Sequence, residues 1–325
     1  MKGQRLWIGL GAFAGISILI LDSRTALIGA QEGIILCLQT VIPSLFPFFM
    51  LSNLLTGSLM GADFRILRPI GRIFGLPKGA QSLLIPAFLG GYPAGAQSIA
   101  AAYQKNQISK RTAEQLLAFC NNAGPAFLFG MVGPLFPSPY APWALWAIHI
   151  IAAWMVSLLF RWEQEDAACR NAISCSIPEA MAASGNTMAM VCGWVVMFRI
   201  LIRFLNCWVL WLLPTTGQIG VAGLLELANG CCSLPLIASV PVRFVLCSVF
   251  LAFGGLCVTM QTASAVAGLS MKPYITGKTL QALFGFFLSA ALWIPWMLCP
   301  LILTYFLLMA LKFRKNSRNL AAVGV

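Results

Sequence analysis

Glu226 stands in the run Leu224-Leu225-Glu226-Leu227-Ala228-Asn229, a single carboxylate among apolar side chains. On insertion scales an acid at the centre of a membrane helix costs about 2.5–3.5 kcal/mol, so one retained there has a task by default. It can hold a coupling proton or sodium ion, or hydrogen-bond a polar solute; alternatively it sits at an aqueous mouth and is solvated. Asn229, and further on Gln261, Thr262 and Ser264, supply a matching polar face. A second set lies earlier in the chain. Tyr92, Gln97 and Ser98 flank Gly90-Gly91-Tyr92-Pro93, and Asn121 and Asn122 precede Gly124-Pro125. Amides and hydroxyls of this kind hold solutes by hydrogen bonds, and unwound carbonyls beside them coordinate cations. The same side chains can instead glue helices together, at around 1 kcal/mol per bond. Two adjacent asparagines point to different helix faces, so one packing role does not account for both.

Other polar residues suggest less chemistry. Arg199 and Arg203, four apart near the end of an apolar run, fit snorkelling to headgroups better than a solute clamp. For a dianionic solute, one of them could supply countercharge. His149, the sole histidine, fits a hydrogen-bonded packing role better than a proton relay. The motifs H-E-x-x-H, G-x-S-x-G and Walker A are absent from the sequence, and no catalytic residue, enzyme activity, metal site or resident cofactor is expected. Coupling to H+ or Na+ is the one small-ion requirement the polar residues suggest.

Composition says what must surround these residues. The 325 residues are 59% hydrophobic and 9% charged, against about 25% charged in a soluble chain. So little charge cannot cover a soluble surface, and lipid has to solvate most of it. The formal net charge of +12 comes from short clusters between apolar runs, which set topology and meet anionic headgroups. They form no basic stripe interleaved with aromatics, so nucleic acid is not an expected partner. The expected partners are the lipid bilayer and a small-molecule solute, with a homo-oligomer or other membrane proteins left open. The 11 cysteines lie scattered in apolar segments and read as small packers, not as a disulfide framework.

Apolar runs long enough to span a bilayer are Leu6–Leu21, Gly33–Thr56, Ala113–Val132, Trp143–Phe160, Ala180–Ile202, Val242–Leu269 and Leu280–Leu311. Ala80–Ala102 and Ile219–Val240 differ, because Pro and Gly interrupt their centres. A straight helix through either would clash at proline and lose backbone bonds. Two half-helices meeting at a tip avoid this, provided protein or a watery cavity satisfies the tip. Half-helix N-termini there would offer free N–H groups and a positive dipole end to an anionic or carbonyl-rich solute. The order span, connector, hairpin, broken span, span occurs twice. With an odd number of crossings per unit, the second unit inserts upside down, as in inverted-repeat carriers. Arg65, Arg68, Arg72, Lys78, Lys105, Lys110 and Arg111, then Arg161, Arg170, Lys272 and Lys278, mark one face as cytoplasmic. The acids Glu163, Glu165, Asp166 and Glu179 sit in one hydrophilic loop on that face. The tail Lys312-Phe313-Arg314-Lys315 falls on the other face by this count and disagrees with it.

The expected fold is therefore an all-α integral membrane protein with about seven transmembrane helices plus two re-entrant helical hairpins in an inverted repeat. Its parts are an N-terminal helix and loop (1–32), a first repeat (33–162) with hairpin 80–102, a cytoplasmic linker (163–179), a second repeat (180–311) with hairpin 219–240, and a basic tail (312–325).

Three runs carry a resemblance to a known family: Ile42-Pro43-Ser44-Leu45-Phe46-Pro47-Phe48, Gly90-Gly91-Tyr92-Pro93-Ala94-Gly95-Ala96 and Phe119-Cys120-Asn121-Asn122-Ala123-Gly124-Pro125. In this order they resemble the YlbJ-type sporulation integral membrane proteins of the nucleoside-recognition, or Gate, domain group, which is similar in layout to the concentrative nucleoside transporters. Gly124 departs from the serine of that pattern and removes a hydroxyl. The resemblance implies a role in endospore formation, a place in the cell membrane or a forespore-surrounding membrane, and carriage of a spore-core solute, with dipicolinate the leading candidate. A non-transporting scaffold for the spore envelope is the competing reading.

Overall fold

The computed structural model describes residues 2–59, 67–76, 80–160 and 176–323. Arg65, Lys78, Arg161, Arg170, Glu163, Glu165, Asp166 and most of the 163–179 linker lie outside them. Every regular element described is helical. In chain order they are α1 (Lys2–Leu21), α2 (Ser23–Leu36), α3 (Ile42–Leu59), α4 (Leu67–Ile73), α5 (Ala94–Gln104), α6 (Lys110–Leu117), α7 (Ala141–Leu159) and α8 (Ile177–Trp208), then α9 (Thr215–Leu225), α10 (Leu227–Ser233), α11 (Val240–Phe253), α12 (Gly255–Ala265), α13 (Lys272–Ala290) and α14 (Leu298–Val323). Five helical stretches among the described residues are long and apolar enough to cross a membrane, Ser23–Leu55, Ala141–Leu159, Ile177–Trp208, Val240–Ala265 and Pro295–Lys312. Large apolar side chains such as Leu303, Phe306, Phe13 and Ile20 are exposed on the outer helices. In water such a surface would associate; in a bilayer it meets lipid tails.

Two of the expected boundaries change. The helix expected from Gly33 begins at Ser23, because Asp22 accepts from Thr25 N at 3.2 Å and caps it. A π-helical turn at Cys37–Val41 then carries it into α3 without a break. The last expected span, Leu280–Leu311, is two helices. Trp293 N and Ile294 N bond back to Ala290 O at 3.1 and 2.9 Å, closing α13, and Pro295 opens a tight turn before α14. Lys312 Nζ donates to Leu158 O at 2.6 Å and to Phe160 O at 3.4 Å, so the middle of α14 lies beside the end of α7.

Contacts define two ends of the molecule. At one, Ser270 N donates to Glu114 Oε1 at 2.9 Å and Trp154 Nε1 donates to Ile73 O at 2.8 Å. Lys110, Lys272 and Lys312 gather on that end. At the other, Arg243 donates to Ile237 O and Leu135 O, and Phe244 packs edge-on against Phe136 and Trp293. Trp143, Trp211 and Trp296 are exposed there, which suits an interfacial aromatic belt.

Between these ends stand two helical hairpins and two broken helices. In the first hairpin the Gln81–Gly90 arm meets α5 at Gly91-Tyr92-Pro93. In the second α9 meets α10 at Glu226, whose backbone is extended (φ −144°, ψ 120°). The first hairpin is based near Lys105 at the lysine-rich end, the second near Pro214 and Ile237 at the aromatic end. The broken helices follow each hairpin. Ala118 to Gly124 leave the helix between α6 and the Ala126–Leu135 arm. Gly254 and Gly255, at φ +81° and +82°, separate α11 from α12 in a conformation that side-chain-bearing residues avoid.

The arms of the second hairpin touch backbone to backbone, since a Cβ on Gly230 would lie 2.2 Å from Gly223 Cα. Gly230→Ala is therefore expected to destabilise the protein by about 1–3 kcal/mol through overpacking, seen as a lower melting temperature and lower folded yield in detergent. Unchanged melting would mean that the arms do not meet there.

Candidate functional site

The tips of the two hairpins and the two helix breaks converge. Gly91, at the first tip, lies against Gly124 of the first break, where a Cβ would stand 2.9 Å from Gly91 Cα. Glycine in place of the serine of the resemblance thus lets the tip close onto the break. Tyr92 reaches the second break as well. Its hydroxyl donates to Leu251 O at 3.1 Å, near the end of α11. The second tip approaches the second break through Leu225, whose carbonyl oxygen would be 3.2 Å from a Cβ on Gly255.

A small cavity lies between the tips. Its wall is mostly apolar, with Val41, Leu45, Phe127, Val191, Val195 and Val258 around it, and its polar members are Tyr92, Glu226 and Gln261. An apolar chamber with a few convergent polar groups suits a small solute that has a flat or apolar body and a polar edge.

Glu226 is 3% exposed and its carboxylate is fully engaged. Oε1 accepts from Ala228 N at 3.0 Å, and Oε2 accepts from Asn229 N at 2.6 Å and from Asn229 Nδ2 at 2.7 Å. It is the N-cap of α10. Asn229 passes the interaction on, for its Oδ1 accepts from Arg199 at 2.7 Å. Arg199 is also paired with Glu32 at 3.0 Å, and Arg203 lies 3.6 Å from the same carboxylate. A chain of charges and amides therefore runs from Glu32 on α2, through α8, to the cavity wall. Arg199 and Arg203, expected to snorkel to headgroups rather than clamp a solute, both stand beside the Glu32 carboxylate. Glycines allow the pairing: a Cβ on Gly29 or Gly33 would stand 2.9 Å from the backbone of α8. The spacing Gly29-x-x-x-Gly33 beside Glu32 is the sequence signal that reasoning missed.

The expectation of free N–H groups changes at α10, where Glu226 itself accepts from Ala228 N and Asn229 N. At α5 Ala96 N donates to Asn121 Oδ1 at 3.3 Å. Asn121 also donates to Thr262 Oγ1 at 2.8 Å, joining the first break to α12, and both residues are wholly buried. Gln97 exchanges hydrogen bonds with Thr187 of α8 at 3.2 and 3.3 Å and is absent from the cavity wall. Ser98 is half-buried on α5 and also absent from that wall. Ser264 is exposed, donates to Met260 O at 2.9 Å within its own helix, and is not brought to the site. Of the ten candidates, then, Tyr92, Glu226 and Gln261 face the cavity, Asn229 bonds Glu226, and Asn121 and Thr262 bond each other.

Asn122 belongs to a different cluster. Its Oδ1 accepts from Lys278 Nζ and from Gln281 Nε2, both at 3.0 Å. Lys278, expected on the cytoplasmic face, is 1% exposed and holds its ammonium 5.1 Å from the centre of the Tyr92 ring. The missed signal is one lysine three residues before a glutamine in an otherwise apolar stretch of helix. His149 lies close by. It is buried with no hydrogen-bond partner on either ring nitrogen among the described residues, so the expected hydrogen-bonded role is not what the structure shows.

No protein-family model and no solved structure matches this chain. Among curated proteins it is similar to the sporulation integral membrane protein YlbJ of Bacillus subtilis (strain 168), at 26% identity over 317 residues, covering 82% of this chain and 77% of that protein. The similarity agrees with the resemblance carried by the three sequence runs and extends it across most of the chain.

A double-mutant cycle between Glu32→Gln and Arg199→Gln should return a coupling of about 1 kcal/mol, modest because both groups are partly exposed. Chemical denaturation or calibrated thermal shifts would measure it; strict additivity would break the chain from Glu32 to Glu226.

Proposed function

We propose that this protein is a multi-pass membrane carrier for a small polar or anionic solute and that it acts in endospore formation. The observation that supports this most is the cavity shared by two hairpin tips whose bases lie at opposite ends of the molecule. Arms of 11 residues, as in α5 and α9, reach about 16 Å at 1.5 Å per residue, roughly half of a 30 Å hydrocarbon core. In this reading the hairpins are re-entrant, one entered from each face, and their tips meet near the middle. The long helices and broken helices then cross the bilayer around them as an inverted repeat, with α14 added after the second unit. Alternating access would come from rocking or opening one hairpin while the other stays closed. No chemical conversion of the solute is part of this reading.

The similarity to a sporulation protein directs the choice of solute. Dipicolinate, a flat aromatic ring with two carboxylates, is the leading candidate on that ground. Glu226 is then the coupling residue: it lines the cavity and is tied to Glu32 through Asn229 and Arg199, so a change in its protonation or ligation is felt on α2 and α8.

One set of contacts favours a second reading, a scaffold in spore-envelope assembly. Gln97 with Thr187, Asn53 with Ser184 at 2.9 Å, and Asn121 with Thr262 all bridge separate helices as glue would. Spores of a deletion strain separate the two. A carrier deficit lowers dipicolinate content, whereas normal dipicolinate beneath a defective coat or cortex supports the scaffold.

Glu226→Gln keeps an N-cap acceptor, so the loss of stability should stay within about 2 kcal/mol and the protein should reach the membrane in normal amount. Uptake of radiolabelled dipicolinate into proteoliposomes should fall at least about tenfold, the effect of losing one essential charged interaction worth roughly 1.4 kcal/mol or more. Wild-type uptake rates from the variant across a pH series would remove Glu226 from the mechanism. Single cysteines introduced at Asn106 and Gln218, near the bases of the two hairpins, should react with impermeant thiol reagents from opposite faces. Labelling of both from one face would sink the re-entrant arrangement.

A further inference from the structure

We propose that Lys278 is a tethered cation that fills the ion position of the first hairpin–break junction, so that no metal cation binds there. The idea deepens the carrier reading and rests on it for the word coupling, but its test is a binding measurement that stays legible if carriage fails.

The geometry around the ammonium is that of a coordinated ion. Its nitrogen lies 3.0 Å from Asn122 Oδ1, 2.8 Å from Gln281 Oε1 and 5.1 Å from the centre of the Tyr92 ring. An ammonium has three N–H donors, and here are two neutral oxygens and one π face to receive them. Hard cations take this kind of ligand, oxygen atoms supplemented by an aromatic face. Both amides are locked with oxygen toward the lysine. Asn122 Nδ2 donates to Phe119 O at 2.6 Å, and Gln281 Nε2 donates to Asn122 Oδ1 at 3.0 Å and to His149 O at 3.2 Å. The site is thus pre-organised for positive charge by bonds that do not involve the lysine.

None of the ligands is anionic. No ion pair joins Lys278 to a carboxylate among the described residues. A buried, unpaired ammonium is costly, and a methionine or leucine would fill the same volume without that cost. What the lysine adds is charge at a fixed place. It enters where Ala118 to Gly124 leave the helix, and unwound segments of this kind are where broken-helix carriers hold their coupling ions. Tyr92 stands between the ammonium and the cavity, since its ring meets Lys278 and it also lines the chamber. The first tip is therefore backed by the Lys278 side chain and the second carries the Glu226 carboxyl group. A coupling ion, where one is used, is left to the Glu226 junction.

The test uses the full-length protein in detergent or nanodiscs, with melting followed in choline, sodium, potassium and lithium chloride at constant ionic strength. In Lys278→Ala the vacated space is ringed by Asn122, Gln281 and Tyr92. This variant should melt lower in choline and recover by about 3 °C or more in at least one alkali salt, the shift expected for an ion well above its Kd. Adding Asn122→Ala should abolish the recovery, and wild type should show no response that depends on Asn122. Lys278→Ala that folds only with an alkali ion also supports the proposal. A folded Lys278→Ala indifferent to every cation overturns it, as does failure to fold in every salt. A wild-type response to sodium that vanishes with Asn122→Ala overturns it equally, because the ion would then bind beside the lysine.

Discussion

Backbone that leaves a helix inside an apolar molecule must find partners for its own amides, because lipid offers none. This constraint organises the centre of the protein. The chain is interrupted at Gly91-Tyr92-Pro93, at Ala118 to Gly124, at Glu226 and at Gly254-Gly255, and each interruption is answered by a neighbouring one. Asn121 accepts from the start of α5, and Glu226 accepts from the start of α10. Once those bonds exist the tips cannot lie elsewhere, and the space left between them is the cavity. The chamber is thus a by-product of satisfying broken backbone, and its polar members are the residues that do the satisfying or stand next to them.

The broad architecture was legible because it rests on coarse signals. Apolar length pointed to the long helices, and the Pro/Gly-rich and polar interruptions fall where the chain leaves the helix at Gly91-Tyr92-Pro93 and at Glu226. The resemblance built on Gly90 to Ala96 and Phe119 to Pro125 pointed to the first tip and the first break, which the structure brings together through Gly91 and Gly124. The last span was misjudged because Pro295 and Pro300 sit in an apolar run whose hydrophobicity does not fall at the turn. Only the backbone bonds from Trp293 and Ile294 to Ala290 show where α13 stops.

The polar site was legible by residue type and far less by partner. Asn121 and Asn122, expected on different helix faces, lie in a segment that has left the helix, and no spacing says that one meets Thr262 and the other Lys278. Those contacts cross from one half of the chain to the other, and a single sequence has no local signal for them. Lys278 looked like a topology marker because it lies six residues after Lys272; a helix is needed to see that it turns inward. Glu32 and Arg199 were hidden for the same reason, being 167 residues apart. Ser264 shares a polar run with Gln261 and Thr262, yet in the last turn of α12 it is exposed and bonds back to Met260 O.

The two halves therefore differ in chemistry more than in shape. At the second tip a carboxylate caps its own helix and is linked through Asn229 to an arginine that reaches Glu32 near the surface. At the first tip a lysine is held by neutral amides and an aromatic face, without an outward chain of charges. A basic side chain therefore backs one side of the apolar chamber through Tyr92, and an acidic one lines the other side directly. The lysine junction is closed among neutral groups within the protein, whereas the carboxylate junction is connected through Asn229 and Arg199 to α8 and α2, so a change at Glu226 reaches the outer helices and a change at Lys278 does not have that route.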